Sequence, residues 1–287
     1  MRQTISSTLP SPHLILPNLE ADDDTSPEDM LHQALSGPLF EFYYRLQLLS
    51  GHVARLTHYH RSRITADDQD AVAACIASIR VRLHNLWATT RTGDIGKMTT
   101  CGLDAQALRS QLAPDVGARL VLLMRLCEAA YHAEIVELDR VLGDPVQMYS
   151  SESRASVKAI MALVSAAMEE AQSGFRYHGS IRVCQDGAHG RYLTLAEQRP
   201  DIVEDSKARL SAGFLRPLFL CAIETIDDAG QTAQAVKRMS EIGDPVYRSD
   251  FFAAFGQALA ETQQRKDRRV TSRYFCLWFF GISPPFM

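Results

Sequence analysis

Five side chains in this sequence are candidates for moving a proton in a reaction that uses no cofactor. Tyrosine, histidine and glutamate act as general acids or bases when they are held close to a substrate. A closed apolar cavity that excludes water strengthens such proton transfer, which would suit a cyclisation or an isomerisation. The candidate catalytic residues of this hypothetical enzyme are Tyr43, His60, His132, Tyr177 and Glu224.

Glu224 belongs to the apolar stretch FLRPLFLCAIETIDDAGQ, which covers residues 214–231. A proline in the middle of a helix costs about 3 kcal/mol or more, so Pro217 is expected in the first turn of a helix. The stretch therefore predicts a helix from Pro217 to Asp227, preceded by another from Ile202 to Gly213. In this arrangement Glu224 is the acidic group that could point into the core.

Other acidic residues are better explained by turns and by a solvated arm. Asp227 and Asp228 precede Ala and Gly, a combination typical of a helix end, and no second acidic cluster is available to face them. The acidic run at residues 22–24 lies among Pro, Ser and Thr, and Asp23 has Pro27 rather than a carboxylate four residues later. A magnesium site needs carboxylates one helical turn apart, so this run predicts a solvated arm instead.

Histidines and cysteines show no metal-binding spacing. On a helix His58 and His60 would point about 200° apart. The six cysteines are scattered, with no Cys-x-x-Cys pair, which indicates reduced and mostly buried thiols of an intracellular protein. The sequence also lacks GxSxG, P-loop, GxGxxG and HExxH motifs. We therefore predict neither a metal nor a cofactor.

The charge balance argues against two classes of partner. The formal net charge is -4 and the pI is about 6.1, so the chain has no general attraction to nucleic acid or to an anionic membrane. The longest apolar run, near residues 274–282, is about half the length that crosses a bilayer. We expect an intracellular protein, nuclear or cytoplasmic, that does not enter a membrane.

One local run of positive charge, QRKDRRVTSR, occupies residues 264–273. Positive charge is favourable near the C-terminus of a helix, where the helix dipole is negative. A solvated helix end is the preferred interpretation, and contact with an acidic partner is the alternative.

Apolar residues at three- and four-residue spacing predict helices along most of the chain. The longest helix is predicted from about Leu39 to Arg63, with an apolar stripe that ends at His60. Two later helices end at Gly-Asp-Pro, because glycine favours the left-handed conformation and proline blocks continuation. We predict an all-α fold, with eight or nine helices packed antiparallel in a single bundle-like domain.

Composition divides the chain into three parts. Residues 1–30 predict a flexible acidic and Pro-rich arm, residues 31–270 a helical domain, and residues 271–287 a hydrophobic tail that could pack on the bundle or on a second copy. Within the domain, residues 175–200 contain three glycines and no helical stripe, which predicts a long loop. Tyr177 lies in this loop, which could line a ligand pocket or lie on the surface.

The order of features from residue 217 onward resembles a known family. A helix that starts with PLF (residues 217–219) runs through CA (221–222) to an acidic end, and the next helix carries the basic centre VKRM (236–239). The segments GPLFEFYYRLQLLSGHVARL and SIRVRLHNLW fit the same style. Together they resemble the C-terminal regulatory region of fungal zinc-cluster transcription factors, over about residues 30–270.

Two features depart from that family. The family commonly has a tryptophan before the proline, where this sequence has Arg216, and the six-cysteine cluster that such factors use to bind DNA is absent. The resemblance implies a regulatory protein that binds a small-molecule effector, a protein partner or a second copy in a homodimer. It implies a link to the control of secondary metabolism, without direct nucleic-acid binding by this chain. The alternative is the cofactor-free cyclase or isomerase of a biosynthetic pathway.

Overall fold

A computed structural model of the chain describes residues 27–59, 66–90, 98–142, 150–172, 209–225, 228–242, 246–270 and 272–281. Within these ranges the backbone is mainly helical, with one isolated β-bridge between Thr100 and Leu103 and no β-strand. The predicted all-α fold is therefore confirmed. The described helices are α1 (Pro27–Tyr59), α2 (Ala66–Thr89), α3 (Ala105–Gln111), α4 (Pro114–Leu142), α5 (Ser151–Gln172), α6 (Leu215–Glu224), α7 (Ala229–Ile242), α8 (Ser249–Lys266) and α9 (Ser272–Phe280).

Helix α4 is the centre of the fold, because it is apolar on more than one side. It packs against α1, α2, α3, α5 and α6. Val121 and Ile135 face one hydrophobic core, while Ala133 and Val136 face another. A helix that is apolar around most of its circumference belongs in the interior, and here it is shared by two cores.

The two cores differ in their side chains. The amino-terminal core lies among α1, α2, α3 and α4 and is largely aliphatic, with Trp87 as its largest member. The carboxy-terminal core, which involves α4 to α9, is rich in phenylalanine. Phe219 meets Phe252 edge-on with ring centroids 5.8 Å apart, and Phe255 stacks on Phe275 at 6.2 Å. These are favourable arrangements for aromatic rings, so this core is held by ring packing as well as by burial.

Helix α1 begins earlier than the sequence predicts. The predicted range starts near Leu39, directly after Pro38, whereas the helix begins at Pro27 and continues through Pro38. Pro27 suits the first helical position, where its missing N–H has no helical partner to lose. Leu35 and Leu39, on either side of Pro38, are both buried in the amino-terminal core. Their packing holds the helix together across a residue that would otherwise end it.

Helix α6 begins at Leu215, which places Pro217 in its first turn as predicted. The predicted helix that ends at Gly213 is wrong in its described part. Residues 209–211 are not helical, and Ala212–Phe214 form a short 3₁₀ turn.

Packing against α4 explains that turn. A Cβ atom on Gly213 would lie 2.7 Å from Cδ2 of Leu126, so only glycine allows this close approach without movement. The Ser211 hydroxyl also accepts a hydrogen bond from the Gly213 N–H at 3.4 Å. The chain therefore enters α6 through a capped turn rather than through a preceding helix.

The end of α6 also differs from the prediction. The helix ends at Glu224, before the predicted end at Asp227. Asp228 does not close α6; its Oδ1 accepts a hydrogen bond from the Gln231 N–H at 2.9 Å and so caps the start of α7.

Helix α9 occupies part of the predicted hydrophobic tail. Phe275 and Cys276 are buried in the carboxy-terminal core, while Leu277, Trp278 and Phe279 are exposed. Among the described residues, no helix combines the length and the apolar character needed to cross a membrane.

Candidate functional site

Glu224, the acidic residue among the predicted catalytic candidates, is the last residue of α6, and its side chain is fully buried. Its Oε1 contacts Nη1 of Arg140 on α4, and its Oε2 lies 2.9 Å from Nη2 of Arg269, which follows α8. The two arginine side chains are only 9% and 8% exposed. These contacts are close ion pairs rather than well-aligned hydrogen bonds. We call the three residues the Glu224 triad.

Neighbouring side chains fix the same region. Gln263 of α8 donates from Nε2 to the Ile223 carbonyl at 2.5 Å and accepts from the Val270 N–H at 2.9 Å. Arg140 Nη2 donates to the Val270 carbonyl, and Arg269 Nη1 to the Asp139 carbonyl, both at 3.5 Å. The segment after α8 is therefore tied to the ends of α4 and α6.

The position of Glu224 explains why two cations are needed. A carboxylate at the C-terminus of a helix faces the negative end of the helix dipole, which is unfavourable. A buried charge is also costly unless it is paired. Both oxygens of Glu224 already face guanidinium groups. The geometry therefore favours a structural role for this carboxylate over contact with a substrate.

The other predicted catalytic residues lie elsewhere. Tyr43 is on α1 with a partly exposed ring. His132 is on α4, with Nδ1 3.2 Å from the Ser156 hydroxyl of α5 and its ring centroid 5.2 Å from that of Tyr131. His60 and Tyr177 lie outside the described residues.

A polar chain that the sequence analysis did not identify connects three helices. The Tyr131 hydroxyl lies 3.1 Å from Nδ1 of His84, and Nε2 of His84 lies 2.9 Å from Oε1 of Glu152. If Nε2 carries the proton that faces Glu152, Nδ1 accepts from the phenol. The Tyr131 ring is stacked on Trp87 with centroids 4.5 Å apart. We call Tyr131, His84 and Glu152 the Tyr131 relay.

Arg80 forms ion pairs at the Glu152 end of the Tyr131 relay. Arg80 of α2 lies 3.3 Å from Oε2 of Glu152 through Nη1 and 2.5 Å from Oδ1 of Asp139 through Nη2. Glu152 therefore faces a histidine with one oxygen and an arginine with the other. This arrangement resembles the acid–histidine–hydroxyl order in which a carboxylate orients an imidazole.

A second buried glutamate lies where the two cores meet. Glu134 of α4 has a side chain that is 1% exposed, and its Oε1 lies 2.5 Å from Nη1 of Arg216 of α6. Arg216 is 29% exposed. Oε2 of Glu134 is buried and has no hydrogen-bond partner among the described residues. Burial alone would lower the pKa of Arg216, but Glu134 and Glu137 raise it, so its guanidinium stays charged.

Tyr43 interacts electrostatically with both members of this ion pair, and it also interacts with Tyr247. Burial raises the pKa of Tyr43, to which Cys127, Glu134 and Tyr247 add, while Arg216 opposes the rise. Tyr43 belongs to α1 and Tyr247 to the turn before α8, and both rings are partly exposed. We call Tyr43, Glu134, Arg216 and Tyr247 the Arg216 junction. It combines a cation, a buried carboxylate oxygen without a hydrogen-bond partner in the described residues, and two phenols at the boundary between the cores.

Cysteines and possible metal ligands do not add a further site in the described part of the chain. The five described cysteines are free, with Cys75 and Cys101 exposed and the others buried. Burial raises the pKa of the Cys127 thiol to about 12, and it also raises the pKa of Cys221. Such thiols are unreactive near neutral pH. The described residues contain no group of three His, Cys, Asp or Glu side chains arranged to hold a metal ion.

Comparisons of the chain with protein-family models, with curated proteins and with solved structures find no match. The resemblance to the fungal regulatory region therefore stays a prediction from the sequence.

Sequence reasoning did not find the residues of the junction and the relay, except Tyr43. Glu134 and Tyr131 lie on the apolar stripe of α4, where each is interpreted as a packing position. Arg216 attracts attention only as a departure from the family pattern. The signal that could have found the junction is an acidic residue on an apolar stripe, because a buried carboxylate requires a cation as partner.

Proposed function

We propose that the protein is a regulatory protein that binds a small effector at the Arg216 junction. The observation that carries this proposal is the buried Oε2 of Glu134, which has no partner in the described residues and lies next to a partly exposed arginine. A buried polar atom without a hydrogen bond is unfavourable, so a ligand that supplies a donor there gains binding energy.

The groups of the junction define the chemistry of the effector. Glu134 can accept from a hydroxyl or an amino group, while the exposed part of Arg216 can donate to a carboxylate or a carbonyl. Tyr43 and Tyr247 offer aromatic faces. These features suit a small hydroxylated aromatic acid. This chemistry fits the control of secondary metabolism that the family resemblance implies.

The departure at Arg216 supports the same proposal. The related family commonly has an apolar tryptophan at this position, but here an arginine pairs with Glu134. A change from tryptophan to arginine would favour a polar ligand over an apolar one. Any effect on transcription would pass through a partner protein rather than through direct contact with DNA.

Calorimetric titration with a dihydroxybenzoate tests the proposal. Benzoate and resorcinol, which lack the hydroxyls and the carboxylate respectively, should bind at least about tenfold more weakly, a difference of about 1.4 kcal/mol. Tyr43→Ala should weaken binding of the dihydroxybenzoate by a similar factor. Tyr44→Ala is the matched control, because the neighbouring tyrosine lies on a different face of α1.

Two results would reject the effector site. One is the absence of binding by all three compounds at concentrations up to about 1 mM. A dissociation constant of that size corresponds to a binding free energy of about −4 kcal/mol. The other is equal weakening by Tyr43→Ala and Tyr44→Ala, which would place the ligand away from the junction.

The Tyr131 relay supports a second candidate, a cofactor-free isomerase or cyclase. Glu152 would orient His84, and His84 would move a proton through Tyr131 or directly to a substrate. General acid–base catalysis of this kind contributes about a hundredfold to ten-thousandfold to a rate. His132, a candidate from the sequence, lies beside Tyr131 and could contact the same substrate.

Incubation of the purified chain with biosynthetic intermediates, followed by mass analysis, tests this candidate. If turnover is found, His84→Gln should reduce kcat by about a hundredfold or more, because the proton carrier is removed. His52→Gln, which changes an exposed histidine on α1, should leave kcat unchanged. Turnover that survives His84→Gln would exclude the relay from catalysis.

A further inference from the structure

Helix α1 has two apolar faces, and the described residues cover only one of them. The inner face is buried in the amino-terminal core through Leu39, Phe42 and Leu46, among others. The outer face carries Met30, Phe40, Tyr44 and Leu48, which are between 51% and 57% exposed. Contiguous apolar side chains of this size on a protein surface mark an interaction site more often than isolated ones do.

The outer face has the spacing of a helix–helix contact. Positions 30, 33, 37, 40, 44, 48 and 51 follow one another at intervals of three or four residues, as the contact positions of paired helices do. At 100° per residue, this stripe lies about 180° away from the buried stripe. Gly37 and Gly51 belong to it, and a Cβ at either would meet no atom of the described residues within 4 Å. Among the described residues, nothing covers this face at either glycine.

We infer that the outer face of α1 binds the same face of a second copy, with the two helices antiparallel and a two-fold axis near Tyr44. Residues of the same kind, apolar or glycine, lie at equal distances on either side of Tyr44 along the sequence. Phe40 and Leu48 lie four residues on either side of it, and Gly37 and Gly51 lie seven residues on either side. A two-fold contact pairs such positions with each other, so Phe40 meets Leu48 of the second copy and each glycine meets the other.

Charge favours the antiparallel direction. Asp29 lies near the start of the helix and Arg55 near its end, both exposed. An antiparallel pair brings the acidic end of one helix to the basic end of the other, and it also opposes the two helix dipoles. A parallel pair would instead align like charges.

The size of the face sets the expected affinity. From Met30 to Arg55 the helix is about 38 Å long, and a helix is about 10 Å wide. This area is smaller than the roughly 800 Å² that each partner contributes to a standard interface, so we expect a dimer that dissociates in the micromolar range.

Sedimentation equilibrium of the purified chain between about 1 and 100 µM tests the dimer, since a micromolar dimer must respond to this range. The mass should rise from 32.0 kDa to twice that value. Tyr44→Glu places two like charges next to the axis and should raise the dissociation constant at least tenfold. Val81→Glu, which changes an exposed apolar residue of α2, is the matched control and should leave it unchanged.

Engineered cysteines test the register. In a background with Cys75, Cys101 and Cys184 changed to serine, Tyr44→Cys should form a disulfide-linked dimer on mild oxidation. Gly37→Cys should not link to itself, but should link when it is mixed with Gly51→Cys. A disulfide requires Cα atoms less than about 7 Å apart, so each link reports which positions face each other.

Three outcomes would overturn the inference. A monomer at every concentration would show that the face does not bind a second copy. A dimer unaffected by Tyr44→Glu would lie elsewhere on the surface. Self-linking of Gly37→Cys would indicate a parallel pair.

Discussion

Glu224 and Glu134 are both buried glutamates paired with arginine, but their partners leave them in different states. Glu224 has two arginines, each less than 10% exposed, one for each carboxylate oxygen. Glu134 has one arginine that is 29% exposed, and its second oxygen has no hydrogen-bond partner within the described ranges. Burial and charge alone therefore do not separate a structural carboxylate from one that is available to a ligand. What separates them is whether each carboxylate oxygen faces an arginine.

Their positions in the fold explain the difference. The Glu224 triad ties the end of α6 to α4 and to the segment after α8, so its loss would free several elements at once. The Glu134–Arg216 pair lies at the boundary between the two cores, where water can reach the arginine. We expect the first site to determine stability and the second to determine binding.

The largest expected effect is on the Glu224 triad. Glu224→Gln leaves two buried arginines without a counter-charge and should lower the free energy of unfolding by about 3–5 kcal/mol. Urea unfolding at pH 7 measures this change. Glu241→Gln is the control. Glu241 pairs with Arg238 at 2.8 Å and with Lys237 at 4.0 Å, and all three side chains are at least partly exposed, so stability should change by about 1 kcal/mol or less.

Removing all three charges sharpens this test. A triple variant with methionine at positions 140, 224 and 269 should be more stable than Glu224→Gln, since apolar residues of similar volume often replace buried ion pairs without loss. A triple variant no more stable than the single one would contradict the view that unpaired charge causes the damage. So would a loss below about 1 kcal/mol for Glu224→Gln.

A smaller effect is expected at the junction. Glu134→Gln should lower the free energy of unfolding by about 1–3 kcal/mol, because glutamine can still accept a hydrogen bond from Arg216 and water can reach the guanidinium. The same urea unfolding measures it, again with Glu241→Gln as the control, because Glu241 belongs to α7 and pairs with Arg238 rather than with Arg216. A loss as large as that of Glu224→Gln would remove the distinction between the two sites.

The sequence predicts the helices well because the patterns that start, extend and end a helix involve residues close together in the chain. The apolar stripe of α1, the start of α6 and the end of α4 all depend on residues a few positions apart. The error before α6 has a tertiary cause, since Gly213 is set by its contact with Leu126 of α4. Pro38 is a similar case, in which packing on both sides keeps a helix intact.

The sites depend on pairs that are distant in the sequence, so they could be predicted only in part. The sequence identifies Glu224 as a residue that could point inward, but not Arg140 and Arg269 as its partners. It assigns Arg269 to a solvated basic run, whereas the chain turns it into the interior at Asp267, which has a left-handed φ of 48°. Nothing local in the sequence distinguishes Arg269 from the exposed Arg268.

The smallest expected effect concerns the ionisation of Tyr43, and it tests whether the junction acts as one electrostatic unit. Burial, together with the charge of Glu134, raises the pKa of Tyr43, while Arg216 lowers it. Glu134→Gln should therefore lower the pKa of Tyr43, and Arg216→Met should raise it. The signal of carbon-labelled tyrosine rings in NMR, followed at alkaline pH and assigned with Tyr43→Phe, measures both changes.

The sign of the linked stability follows from the same direction. Because folding raises the pKa of Tyr43, the protonated phenol is favoured in the folded state. This contribution to stability is complete below the ordinary tyrosine pKa and is lost as the pH rises through the raised value. Glu241→Gln, far from the junction in the sequence and on α7, should leave the titration unchanged. If Glu134→Gln and Arg216→Met moved the pKa in the same direction, Tyr43 would be responding to a change of fold rather than to the charges of the pair.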